Sequence, residues 1–209
     1  MNDNMIGARA LMIALEKEGV KEVFGLPGGA NLPMYDELYK SNIRHILVRH
    51  EQDAAHMADG FGRVSRKPGV CFATSGPGAT NLLTGIATAQ ADSAPMVAVT
   101  GQVPVAMIGK DAFQESDIIG MANPAVKYSY QPRTPEEIPE VVKQGFYIAE
   151  TGRPGPVLLD IPKDVQQNEG KFTFPDEVRI PGYHPWTDPD IPSIEKAIEL
   201  LLSAEKPII

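Results

Sequence analysis

The sequence predicts an α/β protein, a doubly wound and mainly parallel sheet with helices on both faces. Three observations predict it. Short apolar runs alternate with segments of helical spacing along most of the chain. The runs are rich in valine and isoleucine and lack polar alternation, as expected of strands covered on both faces. Glycine- and proline-bearing loops follow several runs, where parallel strands turn into crossover helices.

The elements follow in order. "MIGARALMIALEKEGV" (5–20) has apolar residues at helical spacing and stops at Gly19. "EVFGLPGGA" (22–30) is a strand running into a glycine–proline turn. "NLPMYDELYK" (31–40) is a helix with Asn31 as N-cap and Pro33 in its first turn. Strand "RHILV" (44–48), helix 51–66, strand "GVCFAT" (69–74), loop "SGPG" (75–78) and helix "ATNLLTGIATAQAD" (79–92) come next. Then come strand "PMVAVTG" (95–101), loop "QVPVAMIGKDAFQES" (102–116), strand "AVKYSY" (125–130), helix 135–151 and strand "GPVLLDIP" (155–162). In such sheets ligands sit beyond the carboxyl ends of strands, so the loops "GLPGGA", "RHEQ", "TSGPG" and "TGQVP" should converge on one edge.

Three regions are expected. Residues 1–166 form the sheet domain and 167–192 a proline-rich linker. Residues 193–209 start a second domain that is cut short. Its helix "SIEKAIELLLSA" has Ser193 as N-cap and an apolar stripe of Ile194, Ile198, Leu201 and Leu202. The final "EKPII" reads as the first residues of a strand, so the chain is expected to be the N-terminal portion of a longer protein.

Composition bounds the function. The net charge of −8 argues against nucleic acid or an anionic membrane as the main partner. No apolar run approaches the ~20 residues of a membrane span, and the N-terminus carries no basic leader. The single cysteine, Cys71, allows no internal disulfide and sits in an apolar run. It is expected to be a core thiol in a reducing, cytoplasmic setting.

The motifs are ambiguous one by one. In "RHEQDAAHMADGFGR" (49–63), His50 and His56 lie six residues apart, about 240° round a helix. They cannot share a metal ion, which a zinc helix binds through histidines four apart, so no metal site is expected. The glycines of "TSGPGATN" suit either a phosphate cradle or a tight turn. Glu51 suits a helix-dipole partner or a functional carboxylate in a crevice, since the helix it opens is lined by Ala54, Ala55, Ala58, Gly60 and Gly62.

Together the motifs are specific. "VFGLPGGANLPMYDEL", "RHEQDAAHMADGFGR", "GVCFATSGPGATN", "GQVP" with "IGKDAFQESD", and "GRPGPVLLDIPKDV" stand in one register. In order and spacing this chain resembles the thiamine-diphosphate-dependent acetolactate synthases (acetohydroxyacid synthases). The resemblance covers about residues 5–166, that family's N-terminal pyrimidine-binding domain. It implies that Glu51 hydrogen-bonds the pyrimidine ring nitrogen and exchanges a proton there, activating the cofactor. Gln114 is implied at the reaction centre. Leu26, Pro27, Gly28, Thr74, Pro77 and Asn81 are implied as cofactor contacts, which displaces the phosphate-cradle reading. Phe113 and Lys163 are implied in the substrate channel, and Arg153 against FAD.

The resemblance further implies pyruvate and a second 2-oxo acid (pyruvate or 2-oxobutyrate) as substrates, in branched-chain amino-acid biosynthesis. It implies Mg2+ and diphosphate on a separate domain, since no "GDG" occurs here. A homodimer or homotetramer is implied, and a regulatory subunit in some members. The alternatives are another thiamine-diphosphate 2-oxo acid decarboxylase or oxidase, a split pyrimidine-domain subunit, and a non-enzymatic module. Asp53, "GFGR" and Val105 depart from the family pattern without removing a chemical group.

Overall fold

The computed structural model describes residues 4–185 and 188–208; Trp186 and Thr187 of the proline-rich stretch and Ile209 lie outside the described residues, as do the first three. The chain runs β1 (Met5–Ile6), α1 (Gly7–Lys17), β2 (Glu22–Gly25), α2 (Leu32–Tyr39), β3 (Arg44–Leu47), α3 (Glu51–Ser65) and β4 (Gly69–Ala73). It continues α4 (Pro77–Asn81), α5 (Leu83–Asp92), β5 (Met96–Gln102), α6 (Ile118–Ala122), β6 (Tyr128–Tyr130), α7 (Ile138–Glu150), β7 (Pro156–Pro162), α8 (Lys163–Gln167), β8 (Glu169–Gly170) and α9 (Ile191–Ser203).

Six strands form one sheet in the order β3-β2-β4-β5-β7-β6, every neighbouring pair parallel. The expected fold class is therefore the observed one. Two apolar cores flank the sheet. One unites α1, α2 and α7 around Leu11, Leu15, Phe72, Val99 and Phe146. The other unites α3, α5 and α6 around Ala55, Ala58, Leu82, Ile86, Met96 and Leu158. Strands β4, β5 and β7 are buried along their whole length, as the absence of polar alternation requires.

This order fixes where a ligand can enter. From β2 the chain crosses outward to β3, then returns to lay β4 on the other side of β2. The loops leaving the carboxyl ends of β2 and β4 thus diverge, and a crevice opens between them.

Several elements differ from expectation. β1 pairs antiparallel with β8, Met5 opposite Gly170, joining two segments far apart in the sequence. The helix expected over 79–92 is two, α4 and α5, and begins at Pro77. Short helices α6 and α8 were not expected; each has five residues, too few for a periodic signal. The strand expected over 125–130 is confined to Tyr128–Tyr130, because a 3₁₀ turn occupies Asn123–Ala125. The proline-rich stretch is not a free tether. Phe174, Ile180 and Tyr183 pack on the first core, and the Tyr183 hydroxyl donates to the Thr151 carbonyl at 3.1 Å.

Helix α9 opens at Asp190 rather than Ser193, because Pro192 suits the first turn; the Ser193 hydroxyl donates to the Asp190 carboxylate. Its Ile194, Ile198, Leu201 and Leu202 are exposed. Among the described residues no helix is long and apolar enough to cross a membrane, and no group of three or more His, Cys, Asp or Glu is placed to hold a metal ion.

Candidate functional site

Glu51 stands at the first position of α3, just beyond the carboxyl end of β3. His50 caps the helix, its Nδ1 accepting from the Gln52 amide at 3.1 Å. That histidine therefore acts on the backbone, while His56 is exposed one and a half turns on. The small residues of α3 serve close packing. A Cβ on Gly85 of α5 would lie 2.4 Å from the Ala55 Cβ, and one on Gly69 only 2.1 Å from the Ala58 carbonyl oxygen. Gly60, by contrast, has open space where a Cβ would stand.

This close approach brings α4 over the start of α3. Glu51 is 8% exposed, and Asn81 Nδ2 donates to its Oε2 at 2.9 Å. A Cβ on Gly78 would stand 3.1 Å from Glu51 Oε1 and 2.7 Å from the Thr74 methyl. Thr74 in turn meets the β2 loop. Its hydroxyl accepts from the Ala30 amide at 3.0 Å, and a Cβ on Gly28 would lie 2.6 Å from its side chain. Glu51, Asn81, Thr74 and Gly28 therefore form one connected wall of the crevice, with Leu26 half-buried and Pro27 and Pro77 exposed at its mouth.

Asn31 stands at the expected N-cap of α2, but its side chain does not cap the helix. Its Oδ1 accepts from the Gly28 amide at 2.7 Å and its Nδ2 donates to the Leu26 carbonyl at 3.4 Å. The residue holds the "LPGG" turn instead, the backbone-mimicking role common for asparagine.

A second group adjoins the first. A cleft of about 230 Å3 is lined by residues that include Ala30, Ser75, Gln102, Phe113, Gln114 and Lys163. The joint between the two groups is Gly76, at φ +57°, where a Cβ would stand 2.5 Å from the Gln114 carbonyl oxygen. Gln114 itself has φ +57° and Asp111 φ +52°, so the loop carrying Phe113 and Gln114 is tightly folded. Glu115 closes that loop by accepting from the Gly109 and Ala112 amides, contacts that hold its carboxyl below the usual range. Phe113 is 88% exposed above the cleft. A larger, more open hollow of about 450 Å3 beside α3, lined by residues such as Leu47, Asp53 and His56, shares no lining residue with it.

Arg153 is not part of this gathering. It precedes β7 and so stands at the opposite edge of the sheet, about 20 Å away along a seven-residue strand. There it donates from Nε to Ser93 at 2.7 Å and from Nη2 to the Gln90 and Ala91 carbonyls, capping the end of α5.

Sequence reasoning missed a buried polar layer beneath the cleft. Asp160 is fully buried in β7; its Oδ1 accepts from Thr100 at 2.6 Å, and its Oδ2 from Gln102 at 3.0 Å and Gln131 at 2.7 Å. Burial lifts its carboxyl to about 6 despite these donors. Gln166 of α8, also buried, donates to the Ala30 and Ile161 carbonyls at 2.8 and 2.7 Å. The one signal was the lone aspartate within the apolar run "PVLLDIP", since a carboxyl on a covered strand needs donors nearby. Cys71 is buried in β4 as expected, its thiol pushed up to about 12 by burial.

A sheltered carboxyl at a helix start, over the switch point of a parallel sheet and walled by small residues, defines a cofactor-binding α/β domain. The chain belongs to the thiamine pyrophosphate enzymes, residues 5–121 matching the family's N-terminal TPP binding domain. It is similar to the probable acetolactate synthase large subunit of Methanocaldococcus jannaschii, with 57% identity over 208 residues covering 98% of this chain and 35% of that protein. It is 51% identical over 208 residues to the acetolactate synthase large subunit of Corynebacterium glutamicum, covering 99% of this chain and 33% of that protein. With the acetolactate synthase of Arthrospira platensis the figures are 52% over 209 residues, 97% and 36%. The chain thus spans about a third of the length of these relatives.

Proposed function

We propose that this chain is the pyrimidine-binding portion of an acetolactate synthase, which decarboxylates pyruvate and joins the remaining two-carbon unit to pyruvate or 2-oxobutyrate. One observation carries the reading most: Glu51 is sheltered by Gly78 and held by Asn81 beside the "LPGG" turn. The residues fit an aminopyrimidine. One carboxylate oxygen is taken by Asn81, and the other faces a wall where Gly78 leaves no side chain between. Thiamine diphosphate, when bound, supplies the nucleophilic carbon and electron sink that decarboxylation of a 2-oxo acid requires.

In this reading Glu51 hydrogen-bonds the pyrimidine ring nitrogen and exchanges a proton there, a task suited to a carboxyl shielded from bulk water. Leu26, Pro27, Gly28, Thr74, Pro77 and Asn81 line the ring's pocket. Gln114 lies over the reacting end, while Phe113 and Lys163 form the channel through which an anionic 2-oxo acid enters. Lys163 supplies positive charge to a chain whose net charge is −8.

The diphosphate and its Mg2+ are assigned to a separate domain, and Arg153 to FAD at the far edge of the sheet. A homodimer or homotetramer that brings a diphosphate domain over the crevice, cytoplasmic location and branched-chain amino-acid biosynthesis belong to the same reading; a regulatory subunit is a further expected partner. The domain boundaries near 166 and 192 go with it.

The test is Glu51→Gln in the full-length enzyme, which keeps a hydrogen bond and removes the exchangeable proton. Exchange of the cofactor's acidic carbon-bound proton, followed by NMR, should slow at least about 100-fold, while thermal unfolding stays within about 2 °C. Unchanged proton exchange in a folded, cofactor-loaded variant would end the proposal.

A further inference from the structure

The loop bearing Phe113 and Gln114 is exposed, carries two non-glycine residues at positive φ, and rests on no helix or strand of its own. What holds it from below is Gln102, the last residue of β5. The Gln102 carboxamide is fully engaged. Its Oε1 accepts from the Val103 amide at 2.9 Å, one Nε2 hydrogen goes to Asp160 Oδ2 at 3.0 Å, and the other to the Ser116 carbonyl at 3.0 Å. The last of these bonds reaches the loop two residues from Gln114.

Asp160 determines that orientation. A carboxylate can only accept, so the carboxamide must turn its NH2 group toward Oδ2. Turning it the other way would oppose two acceptors there and two donors at Val103, and would leave the Ser116 carbonyl unpaired. Thr100 and Gln131 fix the carboxyl from the other sides, and nothing charged compensates it among its bonded partners. A buried carboxylate with three donors and no cation costs stability when a hydrocarbon would fill the same space. Its position explains the cost: it joins β5, β7 and the segment after β6 to a loop that lines the cleft.

We infer that Asp160 and Gln102 are positioning residues, which act through the Ser116 carbonyl to hold Gln114 and Phe113 over the cleft. This rests on the functional reading above, in which that loop meets the reacting groups. Asp160 lies beneath the cleft, and Gln102, although it lines it, has its carboxamide fully engaged within the protein.

A matched pair of variants in the full-length holoenzyme tests it. Gln102→Met and Gln131→Met each remove one donor from Asp160, but only the first releases the loop. Both should lower the melting temperature, Gln102→Met by more, because it also unpairs the Val103 amide and the Ser116 carbonyl. Gln102→Met alone should speed backbone hydrogen exchange across residues 108–117 and lower kcat/KM about tenfold, the effect of one lost hydrogen bond expressed at the site. Should Gln102→Met fail to fold, Gln102→Asn, an amide one methylene too short to reach both partners, takes its place with the same expected loop release. Equal effects of the 102 and 131 variants on loop exchange and turnover, or no effect of either, would overturn the inference. Gln114→Ala is the control for the functional reading. If it leaves turnover unchanged, that reading fails at this loop; if it lowers turnover and the 102 variant does not, the positioning role alone fails. Where both hold, the double variant should lose little beyond Gln114→Ala, because the two act through one loop.

Discussion

Replacing Gly76 by alanine strikes the joint between the two halves of the cleft. The residue sits at φ +57° and ψ −120°, a conformation that glycine adopts freely and other residues resist. A Cβ there would also stand 2.5 Å from the Gln114 carbonyl oxygen and 2.9 Å from its carbon, both backbone atoms that cannot rotate aside. Strain of about 1–3 kcal/mol from the dihedrals and a comparable overpacking cost partly share one relaxation, giving a net loss of about 3 kcal/mol. For a chain of this size that lowers the melting temperature by about 6–12 °C. Urea denaturation of the Gly76→Ala chain beside the parent measures the loss directly. On the proposed function, the same variant of the full-length enzyme should raise KM for the 2-oxo acid, because the loop with Phe113 and Gln114 must yield first. A melting temperature within 1–2 °C of the parent would show that α4 and that loop do not meet as described, and the argument for one continuous cleft would fall.

Other outcomes follow from the same geometry. Burial lifts the Asp160 carboxyl from its ordinary 3.8 to about 6, so between those values the folded protein keeps a proton that the unfolded chain has released. That carboxyl therefore disfavours folding increasingly as pH rises from 4 to 6, by up to about 3 kcal/mol. Asp160→Asn, whose carbonyl can still face the glutamines while its NH2 donates to Thr100, should be relatively more stable at pH 7 than at pH 4 when compared with the parent by denaturation at each pH. Gly85→Ala drives a methyl to within 2.4 Å of Ala55 and should cost about 1–3 kcal/mol by separating α5 from α3, read from urea midpoints. Asn81→Ala removes the donor that orients Glu51; cofactor activation should fall about tenfold with a stability loss of about 1 kcal/mol, by proton-exchange NMR and thermal melts.

The layers of the fold were legible because covered strands and amphipathic helices carry strong periodic signals; β4 is apolar throughout and β5 from Met96 to Val99, and α1 buries one regular face. The pairing of Met5–Ile6 with Glu169–Gly170 was not, since two-residue strands so far apart in the sequence leave no local trace. At the site, Glu51 was visible as an acid opening a small-residue helix, and the surrounding contacts only as a family pattern. Asn31 was placed correctly as a helix boundary, but propensity cannot say that its side chain turns back to the "LPGG" turn. The layer of Thr100, Gln102, Gln131, Asp160 and Gln166 escaped because its members come from separate segments, and all but Asp160 in its apolar run are unremarkable alone. The register of β5 against β7 sets Thr100 beside Asp160, while Gln131 joins from beyond β6 and Gln166 lies on α8.

The antiparallel clasp of Met5–Ile6 on Glu169–Gly170 has a consequence for how the chain can be rewired. These two segments lie side by side, so a short covalent link between them would let the backbone be reopened at a surface turn elsewhere. Such a cut need not disturb the crevice, which is built by loops at the carboxyl ends of the central strands.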